Sequence, residues 1–98
     1  MAYVVAYDPK AADGITEQTR NCLVFLDEKL AQVASAKTAP LQVTVFLRDM
    51  SMKAEMDEVW CDWIGPKENW PQRACVGVDL GDEVSLIEIT AIAALPES

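Results

Sequence analysis

Two periods of hydrophobic and polar residues run along the chain, and they separate strands from helices. An apolar run at residues 2–7 and an alternating run at residues 41–47 predict two strands, because successive strand side chains point to opposite faces. Between them, apolar residues recur every three or four positions, which predicts a helix from about Ile15 to Ser35 with Asp13 as its N-cap. We expect the apolar stripe of this helix to face the core: Ile15, Thr19, Cys22, Leu23, Leu26, Leu30 and Val33.

A second helical pattern follows the second strand. It predicts a helix over about Met52 to Ile64, with Ser51 as its cap. We interpret its apolar stripe as core packing rather than as a cofactor site, since methionine commonly fills gaps in cores. The stripe comprises Met52, Met56, Val59, Trp60 and Trp63. In the preceding strand, Gln42, Thr44 and Phe46 share a face that we expect to be half-buried or to meet a partner.

The last third of the chain predicts an antiparallel hairpin. Two β-rich runs flank the turn candidate at residues 80–83. A loop centred between Gly81 and Asp82 would place Cys75 opposite Glu88, with Arg73 one diagonal step from Glu88. A guanidinium, a thiol and a carboxylate would then share one face. A turn centred on Gly81 itself would put Glu88 on the other face, so the register stays open.

The element order β-α-β-α-β-β predicts one α+β domain over residues 1–98. Helical crossovers imply parallel strand pairing, whereas the final hairpin is antiparallel. The expected architecture is therefore a mixed sheet with both helices on one face.

Charge and residue usage exclude several classes of function. The formal net charge is −8, from 16 acidic and 8 basic residues, which opposes a nucleic-acid partner. No apolar run approaches the roughly 18 residues of a membrane span, and the N-terminus lacks the basic region of a secretory signal. Three scattered cysteines indicate reduced thiols in a cytoplasmic protein. With no histidine, we expect no metal site and no Ser-His or Cys-His catalytic pair.

The hairpin region also carries a family resemblance. Pro71-x-Arg73-x-Cys75-Val76, followed by Glu88 within Ile-Glu-Ile-x-Ala-Ile-Ala, resembles the C-terminal signature of the Rid (YjgF) family. These proteins are reactive enamine/imine intermediate deaminases, often labelled endoribonucleases. Gln18-Thr19-Arg20 and the segments 43–50 and 56–60 agree with this resemblance, which covers roughly residues 3–95.

The resemblance implies a chorismate-mutase-like fold that assembles as a homotrimer with clefts between subunits. It also implies that the N-terminal strand region is shorter here than in the family, and that Asp57 stands where asparagine is usual. By the same resemblance, Arg73 binds the carboxylate of a small 2-imino or 2-enamino acid, Glu88 positions the attacking water and Cys75 lines the cleft. Hydrolysis to a 2-keto acid and ammonia then needs no cofactor.

Simpler interpretations of the same residues remain. Arg73 and Glu88 would form only an ion pair, and Cys75 would be a small apolar strand residue. At the level of function, the alternative is a non-catalytic binding module for small carboxylate metabolites. An endoribonuclease is the least favoured alternative, because the chain is acidic and lacks histidine.

Overall fold

The computed structural model describes residues 2–32, 40–65, 67, 72–81 and 83–93. Its elements follow the predicted β-α-β-α-β-β order: β1 Ala2–Tyr7, α1 Ile15–Gln32, β2 Pro40–Leu47, α2 Lys53–Ile64, β3 Gln72–Gly77 and β4 Ile87–Ala93. A short 3-10 turn, Met50–Met52, precedes α2. The four strands form one mixed sheet in the order β1-β4-β2-β3. The α+β class and the mixed sheet are therefore confirmed.

The core lies between the sheet and the two helices, as the stripes predict. Every described member of the α1 stripe is buried, while Val33 lies outside the described residues. Met56 and Trp60 of the α2 stripe are buried, and its other members pack partly against the core. In β2, Val43, Val45 and Leu47 are buried and the alternate residues are not. Both helices thus cover one face of the sheet.

The predicted hairpin is wrong, because β3 and β4 are not neighbours. β2 lies between them, and its Val45 pairs with Cys75 of β3 on one side and with Ile89 of β4 on the other. β3 runs parallel to β2, whereas β4 is antiparallel to both β2 and β1. The expected crossover pairing is therefore confirmed between β2 and β3, but β4 is inserted between β1 and β2.

The connection between β3 and β4 explains the error. It covers residues 78–86, too many for a two-residue turn, and it crosses the end of β2. Val78 N donates to Leu47 O at 2.9 Å as the chain leaves β3, and Arg48 N donates to Leu86 O at 3.0 Å before β4 begins. The Arg48 guanidinium also donates from Nε to Ser85 O at 2.7 Å. These contacts hold the crossing chain against the end of β2.

The cap of the second helical segment also differs from the prediction. Asp49 accepts a hydrogen bond from Ser51 N at 2.9 Å, so Asp49 and not Ser51 caps the segment. Among the described residues, no helix is both long enough and apolar enough to cross a membrane.

Candidate carboxylate-binding site

Arg73 lies on β3, at an edge of the sheet, and its side chain points under α2. Because Arg73 pairs with the buried Val43, the two side chains share the face that the helices cover. The guanidinium carbon lies 5.2 Å from the Trp60 ring centroid, within the range of a cation–π interaction. Nη1 lies 3.7 Å from Met56 Sδ. The side chain is 21 % exposed, so a small ligand can reach it from one side.

Asp57 is the acidic partner of Arg73. Its Oδ1 lies 2.8 Å from Arg73 Nη2, and its Oδ2 accepts a hydrogen bond from Lys53 Nζ at 2.6 Å. Burial alone would raise the pKa of Asp57, but Lys53 and Arg73 outweigh this effect and lower the pKa below its usual value. The sequence predicts Glu88, and not Asp57, as the acidic partner of Arg73. The contact between Lys53 and Asp57 was predictable from their i, i+4 spacing on a helix.

Cys75 follows Arg73 on the same face of β3 and packs partly against the core. Burial raises the pKa of its thiol, even though Arg73 and Lys53 act in the opposite direction. The thiol is therefore protonated near neutral pH and is a poor nucleophile. This state suits a residue that lines a site.

Glu88 lies on the opposite face of the sheet from Arg73 and Cys75. It pairs with Tyr7 on β1 and with Phe46 on β2, and both alternate with buried residues that face the helices. The predicted meeting of the three side chains on one hairpin face is therefore wrong within a single subunit. The simple Arg73–Glu88 ion pair is wrong for the same reason.

The face that carries Glu88 is not covered by the helices, and we call it the open face. Its described side chains are all at least partly exposed. They are Tyr3, Val5, Gln42, Thr44, Phe46, Gln72, Ala74, Val76, Glu88, Thr90 and Ile92. Tyr7 borders this face, but its ring packs against Phe25 of α1 with 5.0 Å between the ring centroids. Glu88 is the carboxylate on the open face, in a surface otherwise built of aromatic, aliphatic and neutral polar groups.

Nearly the whole chain is similar to one known protein family. The model of the family described as Endoribonuclease L-PSP matches residues 5–95. The chain belongs to the Rid (YjgF) family. A RutC family protein of Haemophilus influenzae is 35 % identical over 77 residues, which are 79 % of this chain and 66 % of the relative. The match thus spans about two-thirds of that protein's length.

Two other Rid-family relatives cover more of this chain. A RutC family protein of Pyrococcus horikoshii is 34 % identical over 93 residues, which are 91 % of this chain and 72 % of the relative. A crystal structure of a YjgF-family protein from Neisseria meningitidis superposes with a TM-score of 0.88 and 32 % identity. That match covers 97 % of this chain and 78 % of the other. The sheet order that the hairpin prediction missed therefore belongs to the family fold.

Proposed function

We propose that this Rid-family protein hydrolyses small 2-imino and 2-enamino acids to 2-keto acids and ammonia. The observation that carries the proposal is the Arg73 guanidinium, held at the edge of the sheet against Trp60 and partly open to solvent. A guanidinium presents a planar fork of donors that matches a carboxylate. Because the family includes deaminases, we expect the carboxylate that Arg73 binds to belong to a 2-imino or 2-enamino acid.

The hydrolysis requires only a few groups from the protein. The iminium carbon is electrophilic, so an attacking water needs positioning and removal of one proton, which we assign to Glu88. The water oxygen bonds to carbon, and the proton passes through Glu88 to the nitrogen. The C–N bond then breaks with release of ammonia, and the remaining hydroxyl loses its proton to form the keto group. Cys75 lines the site as a neutral thiol.

Arg73 and Glu88 lie on opposite faces of the sheet, so one subunit does not bring them to the same substrate. We therefore propose a homotrimer in which Arg73 of one subunit and Glu88 of its neighbour border the same cleft. The open face supports this assembly, because a partly apolar sheet surface without a covering layer is typical of an interface between subunits.

The test is release of ammonia and keto acid from freshly generated 2-iminopropanoate. We expect acceleration by the wild-type protein and a loss of about 10- to 100-fold in Arg73→Ala, because a charge-assisted hydrogen-bonded contact is removed. Arg20→Ala is the matched control, since Arg20 pairs only with its neighbour Glu17 on the exposed side of α1 among the described contacts. Equal rates with and without folded wild-type protein would contradict the proposal.

Two alternatives have distinct outcomes in the same set of measurements. A non-catalytic binding module would bind 2-keto acids in an Arg73-dependent manner without accelerating release of ammonia. An endoribonuclease would bind RNA with an affinity that falls steeply as salt increases. The net charge of −8 argues against the second outcome.

A further inference from the structure

Two cations and one carboxylate form a compact group beside α2, which we call the Lys53–Asp57–Arg73 cluster. Asp57 contacts both cations, with its two oxygens 2.6 Å from Lys53 Nζ and 2.8 Å from Arg73 Nη2. The formal charge of the cluster is therefore +1. An incoming carboxylate meets an arginine that already has an acidic partner inside its own subunit.

We propose that Asp57 competes with the ligand for Arg73 and that the cluster thereby selects ligands with one negative charge over ligands with two. This inference rests on the proposed function, in which Arg73 binds a carboxylate. One ligand carboxylate brings the cluster to neutrality. A second carboxylate leaves an excess negative charge in a partly desolvated site, where uncompensated charge is unfavourable.

The contacts of Arg73 leave it able to change partners. Asp57 Oδ1 is buried, and its described contact with Arg73 is the ion pair at 2.8 Å to Nη2, so the other guanidinium nitrogens are not committed to this carboxylate. Met56 Sδ, the other described acceptor near the guanidinium, is a thioether and a weak one. The Arg73 guanidinium therefore has N–H groups that can donate hydrogen bonds to a ligand carboxylate.

Lys53 keeps Asp57 stable when a ligand takes Arg73. The hydrogen bond from Lys53 Nζ to Asp57 Oδ2 does not involve the arginine, so it persists after the exchange. The lowered pKa of Asp57 agrees with a carboxylate that stays ionised near neutral pH. Glu58 and Asp62, also on α2, are exposed, and solvent screens their charges more effectively.

The experiment measures binding of two unreactive keto acids by titration calorimetry near neutral pH and at fixed ionic strength. The ligands 2-oxopentanoate and 2-oxoglutarate have the same number of carbons and differ in one carboxylate. Asp57→Asn removes the competing charge with little change in shape. Glu58→Gln is the matched control, because it removes the same charge from the same helix at an exposed position. Circular dichroism confirms that each variant is folded.

We expect Asp57→Asn to bind 2-oxopentanoate about tenfold more tightly, as loss of one partly buried ionic competitor predicts. The gain should be larger for 2-oxoglutarate, and Glu58→Gln should change either affinity by less than about twofold. Equal effects of the two substitutions, or weaker binding by Asp57→Asn, would overturn the inference. If Arg73→Ala binds both ligands as the wild type does, the proposed carboxylate site itself fails.

Discussion

Gln18 is a buried polar side chain that joins three separate parts of the molecule. It is 2 % exposed, and its Nε2 donates to Ala12 O at 2.9 Å and to Val84 O at 2.8 Å. Its Oε1 accepts a hydrogen bond from Leu86 N at 2.8 Å. The amide thus ties the loop before α1 to the connection that precedes β4. These backbone groups are partly buried, and leaving them unpaired is unfavourable.

We predict that Gln18→Leu lowers the free energy of unfolding by about 2–4 kcal/mol, since it leaves two carbonyls and one N–H without their partner. Urea unfolding followed by circular dichroism measures the change. Gln32→Ala is the control, because Gln32 lies at the exposed end of the same helix. A loss for Gln18→Leu no greater than that of the control would show that these hydrogen bonds contribute little.

The sequence predicts the burial and contacts of a single residue only where the spacing of nearby residues determines them. The burial of Cys22 and Leu26 follows from helical spacing, and the structure confirms it. Two of the three partners of Gln18 lie 66 and 68 residues away, so no local pattern predicts them. The pairing of Asp57 with Arg73 depends in the same way on α2 lying over β3.

At the scale of elements, the periodicity of side chains predicted the helices and strands, but the turn pattern misled the pairing. Gly81 and its neighbours favour a tight hairpin, yet the chain bends there while it crosses the end of β2. β4 takes a central position, where Ile87, Ile89 and Ala91 are buried between two neighbouring strands and the helices. Burial of this strand outweighs a local turn preference.

The connection between β1 and α1 is organised by Asp8, which is 5 % exposed. Its carboxylate accepts hydrogen bonds from Lys10 N and Ala12 N, both at 2.8 Å, and from Asn21 Nδ2 at 3.2 Å. Burial acts to raise the pKa of Asp8, but these hydrogen bonds prevail and lower it. The ionised form therefore holds the loop closed against α1.

We predict that Asp8→Asn destabilises the protein by about 1–2 kcal/mol at pH 7, since the charge and one acceptor are lost. A lowered pKa means that this contribution is present above the unfolded value of 3.8 and disappears as pH falls through the folded value. Urea midpoints of variant and wild type should therefore converge as the pH falls below the unfolded value. Asp79→Asn, at an exposed site in the connection between β3 and β4, is the control. A difference that stays constant with pH would mean that charge is not the cause.

At the scale of the whole molecule, the sheet separates the two residues that the proposed reaction needs together. Arg73 pairs with Val43 and Glu88 pairs with Phe46, and these two β2 residues point to opposite faces of the sheet. No pattern within the chain predicts an oligomeric state, so the homotrimer stays a prediction that rests on the family resemblance alone. In the proposed homotrimer, a cleft shared between subunits would make deaminase activity depend on assembly.

The shared cleft predicts complementation between two inactive variants. Arg73→Ala and Glu88→Gln should each lose activity, because one lacks the carboxylate receptor and the other the base. Co-expressed with different tags and purified through both, they form mixed trimers with one interface that holds both native residues. We expect about one-third of the wild-type deaminase rate from such trimers, as cyclic symmetry dictates. Trimers of Arg73→Ala carrying both tags are the control and should stay inactive. If the mixed trimers are equally inactive although folded, Arg73 and Glu88 do not combine across subunits, and the assignment of the base to Glu88 fails.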